Sequence, residues 1–146
     1  MIVDLKPRIY VAGPYRGKTQ RDVDLNIQKA ENLGLVIFNM GAVPVIPHSM
    51  YRSYKDLPDD LVIEATLSLL HTCQAMVVDL PHDQVIDSIG TMGEIEDCRQ
   101  NKRSYFYDDV SVDNNLDALK FWIGEYQPHI RKIINSYSSL YGKFGV

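Results

Sequence analysis

The chain has 146 residues, of which 45% are hydrophobic and 23% charged, and this predicts a single domain over residues 1–146 that is large enough to bury a core. Its 15 Lys and Arg residues against 19 Asp and Glu residues give a net charge of −4, which argues against a nucleic-acid partner because a polyanion attracts basic surfaces. No apolar run approaches the roughly 20 residues that cross a bilayer, and the N-terminus does not resemble a signal peptide. We therefore expect a cytoplasmic protein with no membrane partner.

In the first half of the chain, short β-prone segments alternate with segments of helical periodicity. Residues 8–12 form a predicted strand that ends at a Gly-Pro pair, and residues 24–40 form a helix that Gly41 terminates. The strand predicted at 43–46 contains Pro44, which places it at an edge of a sheet. Residues 48–55 are predicted to be a loop.

The second half repeats this alternation. A helix over 58–70 precedes the apolar strand 75–80, which is typical of a central strand covered on both faces. A helix from Thr91 to Asn101, a strand over 104–107 and a C-terminal helical segment over 115–141 follow, the last predicted to break at Pro128. This order predicts the α/β class, as a Rossmann-like (flavodoxin-like) three-layer sandwich with a mostly parallel sheet of four or five strands.

Two loops follow predicted strands, at residues 13–19 and 81–90. Ligands of parallel sheets bind beyond the carboxyl ends of the strands, so both loops are expected to face one cleft. His48 also follows a strand and is expected to line this cleft.

The first loop is similar to a phosphate-binding P-loop. Gly17, Lys18 and Thr19 match the end of that motif, and Asp79 at a strand end is a candidate magnesium-binding acid. Pro14 argues against this interpretation because it removes a backbone amide that such a loop directs at phosphate. A kinase or NTPase that uses Lys18, Thr19 and Asp79 remains an alternative.

The second loop favours a different chemistry. Ser88 and Gly90 precede a predicted helix, whose free amides and dipole make an anion site. Glu94, one turn into the helix, is a candidate for attack on the anomeric carbon of a sugar. Taken alone, the segment from Thr91 to Glu94 is more typical of a capping box, and Tyr10 is equally typical of a core tyrosine. The motif of the first loop shifts the interpretation toward catalysis, because the two strand ends converge.

Taken together, the motifs Tyr10-Val-Ala-Gly13-Pro14 and Ser88-x-Gly90-x-x-x-Glu94 resemble the nucleoside 2-deoxyribosyltransferase superfamily over residues 9–107, and the nucleotide N-hydrolase branch within it. The resemblance implies that Glu94 is the nucleophile and that Tyr10 holds it. It also implies a homodimer. Serine at position 88, where the transferases carry an acid, resembles the hydrolases that bind a 5′-phosphate.

The chain departs from the family at the acid that acts on the sugar or protonates the base. Thr66 stands at the aligned position, and Gln74 replaces a second usual acid. A missing acid slows departure of the base by ~100-fold or more. Asp79, Asp83 or Asp87 are alternative acids, and a non-catalytic nucleotide-binding protein on the same fold is a further alternative.

The sequence therefore predicts hydrolysis or transfer of an N-glycosidic bond in a nucleoside 5′-monophosphate, with a deoxynucleotide as the expected substrate. Glu94 and Tyr10 are the predicted catalytic residues. No metal or cofactor is expected to take part. The predicted substrate-binding residues are Gly13, Pro14, Tyr15, Arg16, His48, Asp79, Ser88 and Gly90.

Overall fold

The computed structural model describes residues 6–54 and 56–143, without the side chains of residues 54, 127–135, 137, 141 and 143. Four strands alternate with five helices in this part of the chain. The strands are β1 (Arg8–Ala12), β2 (Val43–Val45), β3 (Ala75–Val78) and β4 (Ser104–Tyr107). The helices are α1 (Gln20–Asn39), α2 (Pro47–Met50), α3 (Asp59–Leu70), α4 (Ile89–Gln100) and α5 (Leu116–Lys143).

The four strands form one sheet in the order β2-β1-β3-β4, and every neighbouring pair is parallel. The two strands in the middle, β1 and β3, pair Tyr10 with Met76 and Ala12 with Val78. All four residues of β3 are buried, and β2 with Pro44 lies at the edge. Both positions agree with the sequence prediction, because an interior strand must be apolar on both faces whereas proline is tolerated at an edge.

Helices cover both faces of the sheet. Alternation along β1 directs Ile9 and Val11 to one face, where they pack with residues of α1 and α5. Tyr10 and Ala12 point to the opposite face, where they pack with residues of α3 and α4. The predicted α/β class and the Rossmann-like three-layer arrangement are confirmed, with four strands.

Several predictions in the helical regions were wrong. The first helix begins at Gln20 rather than 24, since Thr19 caps it. The predicted loop 48–55 contains α2 and a 3₁₀ helix, Arg52–Tyr54. The last helix continues through Pro128 without the predicted break. Gly41 ends α1 as predicted, with a positive φ of 97°.

Cys73 and Cys98 are free and buried. Among the described residues, no helix is long and apolar enough to cross a membrane.

Candidate functional site

A pocket of about 490 Å³ lies beyond the carboxyl end of β1. Residues 13–16 and residues 87–91 both contribute to its wall, so the two loops that the sequence assigned to one cleft do meet there. The N-terminal half of α3 and the segment around α2 complete the wall. Of the predicted site residues, Glu94 lines the pocket together with eight others: Tyr10, Gly13, Pro14, Tyr15, Arg16, His48, Ser88 and Gly90.

The two predicted catalytic side chains contact each other. The Tyr10 hydroxyl donates a hydrogen bond of 2.6 Å to Glu94 Oε1. Tyr10 is fully buried in β1, whereas Glu94 lies in the second turn of α4 and is partly buried. A rigid sheet residue therefore fixes the carboxylate of a helix residue at the pocket wall.

Burial decides the protonation of this pair. It raises the pKa of Glu94 to about 7, although the hydrogen bond from Tyr10 opposes the rise and the nearby Asp97 adds to it. Burial and the Glu94 carboxylate also raise the pKa of Tyr10 far above its usual range. Tyr10 thus remains a hydrogen-bond donor at every physiological pH, and Glu94 changes charge near neutrality.

The N-terminus of α4 faces the pocket at Ser88 and Gly90. Ser88 is the N-cap residue and its hydroxyl donates to Thr91 Oγ1 at 2.8 Å. The amides of the first turn have no carbonyl partner within a helix, so they are available to an anion. The alternative of a capping box at Thr91 and Glu94 was wrong. Thr91 lies buried within the first turn, and Glu94 contacts Tyr10 instead.

The first loop packs tightly under the pocket. A Cβ atom on Gly13 would lie 3.1 Å from the Cβ of Asp79, which explains why glycine occupies the position. His48 is buried, and its Nε2 is 3.1 Å from the Gly13 carbonyl oxygen. Since burial lowers the pKa of His48, the ring is neutral and Nε2 carries the proton that it donates to this carbonyl.

Asp79, a predicted substrate-binding residue, is not among the residues that line the pocket. It is 2% exposed and lies beneath Gly13, with Oδ1 at 3.7 Å from the ammonium group of Lys29. Burial raises the pKa of Asp79 to about 6, against the effect of Lys29. No sequence pattern indicates this pairing, because Lys29 lies on the exposed side of a periodic helix.

Arg16 lines the pocket, but in this structure it forms an ion pair with Asp59 at the start of α3. Both side chains are exposed. Asp59 lies in the first turn of α3. Its role as the partner of Arg16 depends on the packing of α3 beside the first loop.

Thr66 lines the pocket at the position where the resembling family carries an acid. Its hydroxyl donates to the Ile63 carbonyl at 3.0 Å, and the same side chain interacts with Tyr10. Of the alternative acids, Asp87 lines the pocket and Asp83 does not. The aligned position is therefore in the site, but it contributes a neutral hydroxyl.

The residues of the P-loop alternative are engaged elsewhere. Thr19 caps α1 by accepting a 3.2 Å hydrogen bond from the amide of Asp22, whose carboxylate accepts one of 3.0 Å from the Thr19 amide. This capping box puts a negative charge at the helix end where a P-loop places phosphate. Lys18 is exposed and does not line the pocket.

Comparison with known families gives one match, which covers residues 7–108 and carries the description Domain of unknown function (DUF7768). This range contains all four strands and every residue that lines the pocket. No curated protein matches the chain.

Proposed function

We propose that this chain, which belongs to the family described as Domain of unknown function (DUF7768), hydrolyses the N-glycosidic bond of a nucleoside 5′-monophosphate with Glu94 as the nucleophile. The observation that carries the proposal is the 2.6 Å hydrogen bond between Tyr10 and Glu94 at the wall of a nucleotide-sized pocket. A buried tyrosine that only fills a core does not need a carboxylate partner at the edge of a cleft.

In the proposed reaction, a Glu94 oxygen attacks C1′ of the sugar and the base departs. Water then attacks C1′ of the glycosyl ester and regenerates the carboxylate, or an acceptor base does so in a transfer reaction. Tyr10 occupies one carboxylate oxygen, Oε1, and in the described residues Oε2 has no hydrogen-bond partner. The hydrogen bond therefore leaves one oxygen for attack and fixes its direction.

The start of α4 is the proposed phosphate site. The amides near Gly90 supply hydrogen-bond donors without a formal charge, and the Ser88 hydroxyl adds one when it turns from Thr91 Oγ1 to the ligand. The helix dipole adds a positive potential. This matters because the chain carries a net charge of −4, so a phosphate must be held by local groups. Arg16 is the nearest candidate for a charge-assisted contact once it exchanges Asp59 for the ligand.

The resemblance also leads us to propose a homodimer. Ile86 and Ile89, next to the start of α4, are 72% and 85% exposed. Large exposed apolar side chains in one short segment favour a surface that another chain covers. Light scattering after size-exclusion chromatography measures the mass directly, and a monomeric mass at micromolar concentration would refute this part.

The experiment that tests the activity is chromatographic detection of free base after incubation with a panel of nucleoside and deoxynucleoside monophosphates. We expect release from the wild-type protein and none from Glu94→Gln. Glu96→Gln is the matched control, because Glu96 lies on the same helix, is exposed and does not line the pocket. If no base is released while nucleotides raise the melting temperature, the protein is a nucleotide-binding protein without this activity.

A further inference from the structure

The pocket has few groups that can deliver a proton to a departing base. Tyr10 directs its proton at Glu94, and burial raises the pKa of Tyr10 so far that the proton is retained. The neutral His48 donates from Nε2 to the Gly13 carbonyl, and its other ring nitrogen, Nδ1, is buried without a partner. Neither side chain presents a proton to a ligand.

The remaining candidates are two exposed aspartates and Thr66. Asp59 is ion-paired with Arg16, so its side chain is already engaged. Asp87 lines the pocket but is exposed to solvent. Thr66 stands at the inner wall and has no acidic proton. Among the described residues that line the pocket, no carboxyl group besides that of the nucleophile Glu94 is shielded from solvent, as a general acid for a neutral purine or pyrimidine would be.

The charge of the pocket is also unusual for a site that binds only an anion. Three carboxylates line it, from Asp59, Asp87 and Glu94, against the single guanidinium of Arg16. Two tyrosines, Tyr15 and Tyr51, line the same pocket. Aromatic faces and carboxylates together attract a cationic ring, because both present negative potential to it.

From the pocket lining we infer that the leaving group is a cationic heteroaromatic base, so that the substrate is a nucleotide of the pyridinium class. This inference rests on the proposed function, since it keeps Glu94 as the nucleophile and α4 as the phosphate site. It adds the identity of the base, and it explains why the position of Thr66 needs no acid.

The chemistry balances without a general acid. Glu94 forms a bond to C1′ as the C1′–N bond breaks, and the electron pair of that bond neutralises the pyridinium nitrogen. The base leaves as a neutral molecule and needs no proton. Water then attacks C1′, the ester bond to Glu94 breaks, and one proton passes from water to solvent. The products are the neutral base, the sugar phosphate and a proton.

The test compares nicotinamide mononucleotide with adenosine, guanosine, cytidine and uridine monophosphates and their deoxy forms. We expect kcat/KM for release of nicotinamide to exceed that of every neutral base by ~100-fold or more, which is the usual contribution of a general acid. Its pH profile should rise with ionisation of Glu94 and show no decline at alkaline pH, because no second proton is used.

Each result decides between the two proposals. Cleavage of neutral-base nucleotides at rates equal to or above that of the pyridinium nucleotide overturns the inference and leaves the proposed function standing. Cleavage of none of them overturns both. Glu94→Gln must abolish release of nicotinamide, or the activity belongs to another site.

Thr66→Asp provides a second test in the opposite direction. A carboxyl group at this position supplies the missing acid, so release of neutral bases should rise at least tenfold relative to release of nicotinamide. Thr66→Asn is the matched control, since it has nearly the same shape and no acidic proton. Equal effects of the two variants would show that the position acts through shape alone and would overturn the inference.

Discussion

The Tyr10 hydroxyl and Glu94 Oε1 are 2.6 Å apart, and their hydrogen bond joins β1 to α4 across 84 positions of the sequence. Tyr10 points to the α3–α4 face of the sheet because side chains alternate along the strand, and its neighbours in the core allow it little motion. The position of the proposed nucleophile is thus set by the core of the protein and not by a loop.

The first prediction concerns Tyr10→Phe, which removes this hydrogen bond and keeps the ring. Because the bond lowers the pKa of Glu94, its loss should raise that pKa above about 7 and leave more of the nucleophile protonated at neutral pH. We expect kcat/KM at pH 7 to fall by roughly 10- to 100-fold and to recover in part at higher pH.

The measurement is the pH profile of kcat/KM for base release. Tyr105→Phe is the control, because the Tyr105 hydroxyl accepts a hydrogen bond from Arg99 outside the pocket. A Tyr10→Phe protein that folds normally and keeps the midpoint of the wild-type profile would show that Tyr10 does not tune Glu94.

The sequence was sufficient for the order of the strands and helices and for the pair of loops around the pocket. The order of the elements follows from local periodicity, and the pairing of the loops follows from the rule that ligands bind beyond the carboxyl ends of parallel strands. Both can be applied to short stretches of the sequence. The contact of Tyr10 with Glu94 was predicted only by resemblance, since no spacing indicates which side chains meet across the α3–α4 layer.

What the sequence missed depends on packing between elements that are distant in the chain. Asp79 has the position of a ligand-binding acid at a strand end, but the close approach of Gly13 covers it and Lys29 neutralises it. Arg16 has the charge of a phosphate ligand, but the start of α3 brings Asp59 to it. Neither neighbour can be identified from composition or periodicity.

The second prediction concerns stability and pH. Burial raises the pKa of Glu94 from its ordinary value of 4.5 to about 7, so the folded state holds this proton more tightly than the unfolded state. The free energy of unfolding therefore falls as pH rises from about 4.5 to 7. Glu94→Gln removes this loss and should be more stable than the wild type at pH 8, by on the order of 1–3 kcal/mol.

Urea denaturation at pH 5 and pH 8 measures the effect. The advantage of Glu94→Gln should shrink at the lower pH, where the wild-type carboxyl is mostly protonated. Glu96→Gln should show no such dependence, since Glu96 is an exposed residue. An advantage of Glu94→Gln that is the same at both pH values would contradict the assignment of a raised pKa.

The third prediction concerns the Arg16–Asp59 ion pair. Its side chains are 59% and 69% exposed, so breaking the pair should change the free energy of unfolding by less than about 1 kcal/mol. Binding should respond more strongly. We expect Arg16→Gln to raise the Kd for deoxyadenosine monophosphate by roughly tenfold, and Asp59→Asn to lower it several-fold by releasing the guanidinium to phosphate.

Isothermal titration calorimetry on the Glu94→Gln background measures these affinities without turnover. The corresponding deoxynucleoside, which lacks the phosphate, is the control ligand and should bind both variants equally. Equal losses with and without the phosphate would place Arg16 at the base or the sugar.

The fourth prediction compares two glycines of the pocket. A methyl group at Gly13 would lie 3.1 Å from the Cβ of Asp79, whereas one at Gly90 meets no atom within 4 Å. Gly13→Ala requires the first loop or Asp79 to move by a few tenths of an ångström and should cost about 1–3 kcal/mol of stability. Gly90→Ala lies in the first turn of α4 and should leave stability unchanged or raise it by up to ~1 kcal/mol. Urea titrations of both variants measure these changes in stability, and equal costs would contradict the close approach of Gly13 to Asp79.

The last prediction separates the proposed function from the P-loop alternative. Thr19→Ala removes the N-cap of α1 and should cost about 1 kcal/mol of stability, whereas Lys18→Ala changes an exposed side chain and should cost nothing measurable. Neither variant should reduce base release more than about twofold once folding is accounted for, because neither residue lines the pocket.

Magnesium with ATP should leave the melting temperature unchanged, since the carboxylate of Asp22 occupies the start of α1 and repels phosphate. The contrary result is equally specific: a rise in melting temperature with magnesium and ATP that Lys18→Ala abolishes would identify the first loop as the nucleotide site and assign Glu94 to structure alone.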